Sequence, residues 1–84
     1  MNHHATPAFW HAHARLPKQI RTVADRAFEI LKSDPTHTSL ALKPVGRFWS
    51  VRVGLHYRAL AVRKGDTMVW FWIGSHADYD RLLG

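Results

Sequence analysis

The feature that most constrains this chain is a change of hydrophobic period near residue 38. From Pro17 to Lys32 the apolar residues Ile20, Val23, Ala24, Ala27, Phe28, Ile30 and Leu31 recur at intervals of three and four, with Arg21, Asp25, Arg26 and Glu29 between them. That spacing is the signature of an amphipathic helix. After Thr38 it gives way to short β-rich segments, about Leu40–Val45, Phe48–Val53, Tyr57–Arg63 and Thr67–Ile73. Their connections, at Gly46, at Gly54-Leu55-His56 and at Lys64-Gly65-Asp66, are short enough to force antiparallel neighbours. Helices first and strands after predict an α+β fold, with a helical hairpin packed on a four-stranded antiparallel meander.

The hairpin needs a partner for the long helix, and the N-terminal region supplies it. Thr6-Pro7 reads as an N-cap followed by proline at the first helical position, opening a short helix over Pro7–Ala14 that breaks at Leu16-Pro17. Met1–Ala5 are expected to form a loose end. At the other terminus, Ser75 and Asp78 have the spacing of a capping box, with Tyr79, Leu82 and Leu83 as the apolar stripe of a closing helix. Eighty-four residues suit one domain over 1–84. Four Trp, four Phe and two Tyr are enough large side chains to fill its core.

The chain has no cysteine, which excludes a disulfide framework, a thiol nucleophile and a thiolate zinc site. With no apolar run near the roughly 20 residues of a bilayer crossing, and no signal peptide, a cytoplasmic location is expected and no membrane partner. Twelve Lys and Arg against six Asp and Glu give a formal charge of +6, so an anionic partner is implied. Nucleic acid is the commonest such partner, although an acidic protein or a lipid surface satisfies the same electrostatics.

Strand alternation places Arg52 with Phe48 and Ser50 on one face, and Arg58 with Leu60 and Val62 on one face of the next strand. A mid-strand arginine in an apolar segment has two readings. It either snorkels to the sheet margin and pairs with Asp66, Asp78 or Asp80, or presents a planar, permanently charged guanidinium to a phosphate. His76 falls at the start of the closing helix, with a pKa class suited to proton transfer, and Tyr79 follows on the same side. Trp70 and Trp72 are expected on one face of a central strand, with Val69, Phe71 and Ile73 on the other, as packing residues more than stacking ones. His3-His4 and His11-Ala12-His13 lack the spacing and the acidic or thiol neighbours of a metal site. No serine-histidine-aspartate order, phosphate-binding glycine loop or carboxylate pair is present.

The segments L-P-K-Q-I, K-S-D-P-T-H-T-S-L, F-W-S-V-R-V-G-L-H-Y-R-A-L and W-I-G-S-H-A-D-Y-D-R-L-L together resemble the RelE/ParE toxin superfamily, from about Leu16 to Leu83. The resemblance implies the toxin of a type II toxin–antitoxin pair with a cognate antitoxin as partner. In the RelE branch such a toxin is a metal-free, cofactor-free endonuclease that cuts mRNA on the ribosome. In the ParE branch it inhibits DNA gyrase without cutting anything, and a non-catalytic RNA- or protein-binding member of the fold is a third reading. By resemblance Arg58 matches the arginine of the family's Y-R strand motif, Arg52 a basic position on the preceding strand, His76 the basic residue after I-G, and Tyr79 the tyrosine beyond it. Lys43, Arg47, His56 and Arg63 are the accompanying candidate RNA contacts, and Phe9 and Trp10 on the first helix a candidate antitoxin dock.

Three departures from the family pattern stand out. Family members usually begin with a strand, whereas this chain is expected to enter a helix directly at Thr6-Pro7 and so to lack that strand. Ser50 occupies the place of a second basic residue two before Arg52. No glutamate is placed to act as general base, which leaves His76, His56, a water or the ribosome's surroundings.

Overall fold

The computed structural model describes residues 1–84. Thr6 Oγ1 accepts a hydrogen bond from the Phe9 amide at 3.1 Å and Pro7 opens α1 (Pro7–Ala14), as its residue types dictate. Leu16-Pro17 then turns the chain into α2 (Lys18–Ser33). Pro17 has no side chain able to cap that helix, and Arg21 Nη1 instead donates back to the Leu16 carbonyl at 2.7 Å. α2 buries Ala24 and Leu31 and leaves Asp25, Arg26 and Glu29 exposed. His13 Nε2 lies 3.0 Å from Asp25 Oδ1 and joins the two helices.

The sheet contains Asn2–Ala5 (β1), Lys43–Val45 (β2), Phe48–Val53 (β3), Tyr57–Lys64 (β4) and Thr67–Ser75 (β5), in the order β1-β5-β4-β3-β2. β2 to β5 form the expected antiparallel meander. The expected loose terminus and missing first strand are both corrected by β1, which pairs parallel with β5 from Asn2 opposite Thr67 to Ala5 opposite Trp70. The Asn2 amide donates to the Asp66 carbonyl at 2.7 Å and the Thr6 amide to the Trp70 carbonyl at 3.0 Å. Asn2-His3-His4-Ala5 has no strand pattern of its own; the unpaired edge of β5 supplies the hydrogen bonds that make it one.

A second correction concerns Leu40, expected to begin a strand. Thr38–Leu40 is a 3₁₀ turn that ends on Ala41 in the left-handed conformation (φ 45°), and strand pairing starts only at Lys43. Leu40 is 1% exposed, so its apolar side chain serves the core from a turn.

The core lies between the sheet and the helical hairpin. Leu16, Ala24 and Leu31 meet Val51 and Val53 of β3, Ala59 and Ala61 of β4, and Met68, Trp70 and Ile73 of β5. Burying each large aliphatic side chain contributes about 1.5–3 kcal/mol. β5 breaks the alternation expected of it: Leu60 pairs with Trp72 but Ala61 with Trp70, so Phe71 is an extra, bulged residue. Trp70 and Ile73 therefore share the helix-covered face, while Phe71 and Trp72 fall together on the opposite, open face. The closing helix α3 (His76–Leu83) starts at Ser75, whose Oγ accepts from the Asp78 amide at 3.1 Å, and it packs against the ends of β4 and β5. No helix is long and apolar enough to cross a membrane.

Candidate nucleic-acid interface

Two arginines sit together at one end of the open face. Arg52 on β3 lies directly opposite Arg58 on β4, which in turn lies opposite Gly74 on β5. Like charges facing each other across a ladder are destabilising, and no carboxylate of the chain pairs with either of these two. Asp78 pairs with Arg81 and Asp80 with His76, while Asp66 sits in the β4–β5 turn at the far end of the sheet. Neither arginine has an acidic partner, so the snorkelling pairs that the sequence allowed do not form.

Arg58 is held in place from two sides. Its Nη1 donates to Ser50 Oγ at 3.2 Å, and Ser50 is completely buried. Its guanidinium carbon lies 5.3 Å from the centroid of the Tyr79 ring, within the range of a cation–π contact. Tyr79 is 8% exposed and packs as part of the buried structure. The Nε atoms of both Arg52 and Arg58 are shut off from solvent and have no hydrogen-bond partner in the chain. Two facing guanidinium groups with no carboxylate partner are suited to grip a phosphate.

His76 completes this end. Its backbone amide donates to the His56 carbonyl at 2.7 Å, which ties the β3–β4 turn to the start of α3. Its ring stands 5.5 Å from the Tyr79 ring, edge to face, and its Nδ1 lies 3.2 Å from Asp80 Oδ2. A carboxylate on one ring nitrogen orients a histidine and leaves its other nitrogen free for proton transfer. Asp78, two residues along, has its carboxyl held below the ordinary range chiefly by its hydrogen bond from Arg81.

Of the sequence-derived residues, the structure thus brings together Arg52, Arg58, His76 and Tyr79, with His56 beside them through its backbone. Lys43 lies opposite Ser50 on the same face and is exposed. Arg47 is in the β2–β3 turn, five residues along β3 from Arg52 or about 16 Å at ~3.3 Å per residue. Arg63 does not belong to the cluster: it alternates with Ala59 and Ala61 onto the opposite face, and its Nε donates to the Gly65 carbonyl at 3.1 Å.

Two residues of this end had no assigned role in the sequence. Ser50 is the acceptor that orients Arg58. Gly74 is there because of Trp72: a Cβ at position 74 would lie 2.5 Å from Trp72 Cζ2, so the indole lies across the glycine. The available signal was the glycine itself, which inside a strand marks a close approach.

Comparison with known proteins bears on the fold and the family. The family described as ParE-like toxin domain matches residues 18–81. Among solved structures, the RelB–RelE antitoxin–toxin complex from Methanococcus jannaschii is similar at a TM-score of 0.75 and 16% identity, over 96% of this chain and 99% of that one. YafQ from E. coli superimposes at a TM-score of 0.73 and 9% identity, over 93% and 96% of the two chains. The RelBE2 toxin–antitoxin complex from Mycobacterium tuberculosis is 23% identical at a TM-score of 0.67, over 88% and 95%. No curated protein sequence matches the chain. At these identities the neighbours establish the fold, and the family match covers most of the chain. The chain belongs to the RelE/ParE toxin superfamily, by way of a ParE-like toxin domain.

Proposed function

We propose that this toxin is a metal-independent, ribosome-dependent mRNA endonuclease, restrained by a cognate antitoxin. The observation that carries the reading is the unpaired, facing couple Arg52–Arg58, with Arg58 oriented by Ser50 and Tyr79 and with His76 at the adjoining helix start. A bound phosphodiester would offset the repulsion between the two arginines. As the RNA 2′-oxygen attacks the neighbouring phosphorus, a P–O2′ bond forms, the P–O5′ bond breaks and the 5′-oxygen leaves. Negative charge grows on the non-bridging oxygens, where two guanidinium groups stabilise it most. The 2′-hydroxyl gives up a proton and the departing 5′-oxygen takes one. His76, exposed and oriented by Asp80, is the group at this end able to exchange them. Tyr79 serves by holding Arg58 from below, since its ring faces that guanidinium.

An antitoxin partner follows from the family, in which the M. jannaschii and M. tuberculosis neighbours are themselves toxin–antitoxin complexes. Trp10, 52% exposed and packed edge to face on Phe9 and His13, is the aromatic anchor that α1 offers to such a partner.

The test is induced expression without antitoxin, with primer extension on ribosome-bound mRNA. Growth arrest with cuts at codon positions is expected, and Arg58→Ala should lower cleavage by about 10²–10³, the usual effect of removing one such stabilising donor. His76→Ala should also relieve the arrest. Arrest that neither substitution relieves would sink the mechanism. The ParE-like description of the matched family favours a second reading, gyrase inhibition. Accumulated DNA breaks with intact mRNA would select it.

A further inference from the structure

Beyond the arginine end, the open face carries an aromatic strip whose arrangement depends on the β5 bulge. Without the extra residue at position 71, Phe71 and Trp72 would point to opposite sides of the sheet; with it, both lie on the open face. Phe48, across the sheet on β3, meets Phe71 with ring centroids 5.3 Å apart and planes at 56°. All three rings are only partly buried, and the helical hairpin packs against the other face. Bulges of this kind re-aim side chains next to functional sites. The indole of Trp72 lies across Gly74, immediately beside Arg58, so the strip runs directly into the cationic end.

The charge around the strip selects its occupant. No strand of the sheet contains an acidic residue. Lys43 and Lys64 project on the same face as Arg52 and Arg58, by their registers opposite Ser50 and by alternation along β4. A bare apolar segment would gain from the rings and nothing from the cations, and a folded duplex would gain the reverse. A single strand of nucleic acid offers both a polyanionic backbone and flat, unpaired bases. From Arg52 to Phe48 is four residues of β3, about 13 Å at ~3.3 Å per residue, so a base on the rings and a phosphate on the arginines lie along one strand direction.

We propose that Phe48, Phe71 and Trp72 form a nucleobase-stacking platform for single-stranded RNA, continuous with the Arg52–Arg58 phosphate site. This rests on the RNA reading above and adds where the bases next to the bound phosphate lie. Phe71 and Phe48 supply partly exposed rings, and Trp72 sets the edge of the platform next to the phosphate.

The test uses the full chain and two short oligouridylates of the same length, one intact and one with abasic riboses, each titrated at low and moderate salt. The intact strand should bind the wild-type protein at least about tenfold tighter, the worth of one stacked base. Phe71→Leu, which keeps an apolar side chain in the bulge, should remove that difference while leaving the abasic strand's affinity and the salt slope unchanged. Arg58→Ala should weaken both strands alike. The wild-type comparison needs no substitution, so a poorly folded variant does not obscure the result. Equal binding of the two strands overturns the platform and leaves the phosphate site standing. Binding of neither also overturns it, while mRNA cleavage, read separately by primer extension, decides the catalytic reading alone. Weaker antitoxin binding by Phe71→Leu with unchanged oligonucleotide affinity assigns the strip to a protein partner instead, and overturns it as well.

Discussion

The two faces of one sheet differ in what their side chains lack. On the helix-covered face, Val51, Val53, Ala59, Ala61, Met68, Trp70 and Ile73 are matched by Leu16, Ala24 and Leu31, and no buried polar side-chain atom is left unpaired. On the open face, Arg52 and Arg58 confront each other without an acid, and two Nε donors go unused. Burial stabilises the first face and the second bears a standing electrostatic cost. Such a cost is expected where a structure is arranged for something it has yet to bind.

Stability measurements should separate the faces, and the largest effect belongs to the covered one. Trp70→Ala should cost about 3–5 kcal/mol in denaturant unfolding, whereas Phe71→Leu, one residue along on the open side, should cost less than about 1.5 kcal/mol. Comparable losses at the two positions would erase the distinction between core and site. Next comes Gly74→Ala, whose Cβ would fall 2.5 Å from the Trp72 ring. It should cost about 1–3 kcal/mol, the range of overpacking, and displace the indole beside Arg58, visible as a change in tryptophan emission.

Arg58→Ala should be milder for stability, within about 1 kcal/mol, because the lost hydrogen bond to Ser50 is offset by relief of the repulsion with Arg52. Its effect on growth arrest should nonetheless be complete. A loss of several kcal/mol would instead make Arg58 a structural residue and the open face a second core.

The last effect sharpens the comparison at the sheet margin, where β1 meets β5. His3 Nδ1 accepts a hydrogen bond from the Trp70 indole at 3.1 Å. Its pKa is lowered from the ordinary 6.5, first by burial, then by the positive N-terminus and Lys32. The folded state therefore takes up a proton less readily than the unfolded state. Stability should be full above pH 6.5 and should fall as the pH drops below that value, through the lowered pKa of the folded state. His3→Asn keeps an acceptor for the indole without a titrating ring, so its unfolding free energy should lose this part of the pH dependence. An unchanged slope would place the acid sensitivity elsewhere.

Where local pattern decides structure, reading the chain in order was sufficient. Thr6-Pro7, the three-and-four spacing of α2, the glycine turns and Ser75 act over a few residues each, and the elements they specify are present. That Arg52 and Arg58 lie on adjacent strands was equally legible, since a short turn at Gly54 joins those strands, but that they face each other across the ladder came from the register. β1, by contrast, is made by the edge of β5, more than sixty residues away along the chain, and its own four residues carry no sign of it. Leu40 shows the same limit, because an apolar residue before a strand looks alike whether it enters the strand or plugs the core from a turn.

What the sequence by itself determined was the class of fold, the helical hairpin, the meander and the family, all of which rest on local periodicity and contiguous motifs. Only the tertiary structure decided which face each β5 aromatic occupies, that Arg63 points away from Arg58, and that Ser50 and Tyr79 hold Arg58 between them. The reason is physical: one bulged residue reverses every later side chain of a strand, and contacts across a sheet depend on register, which composition does not record.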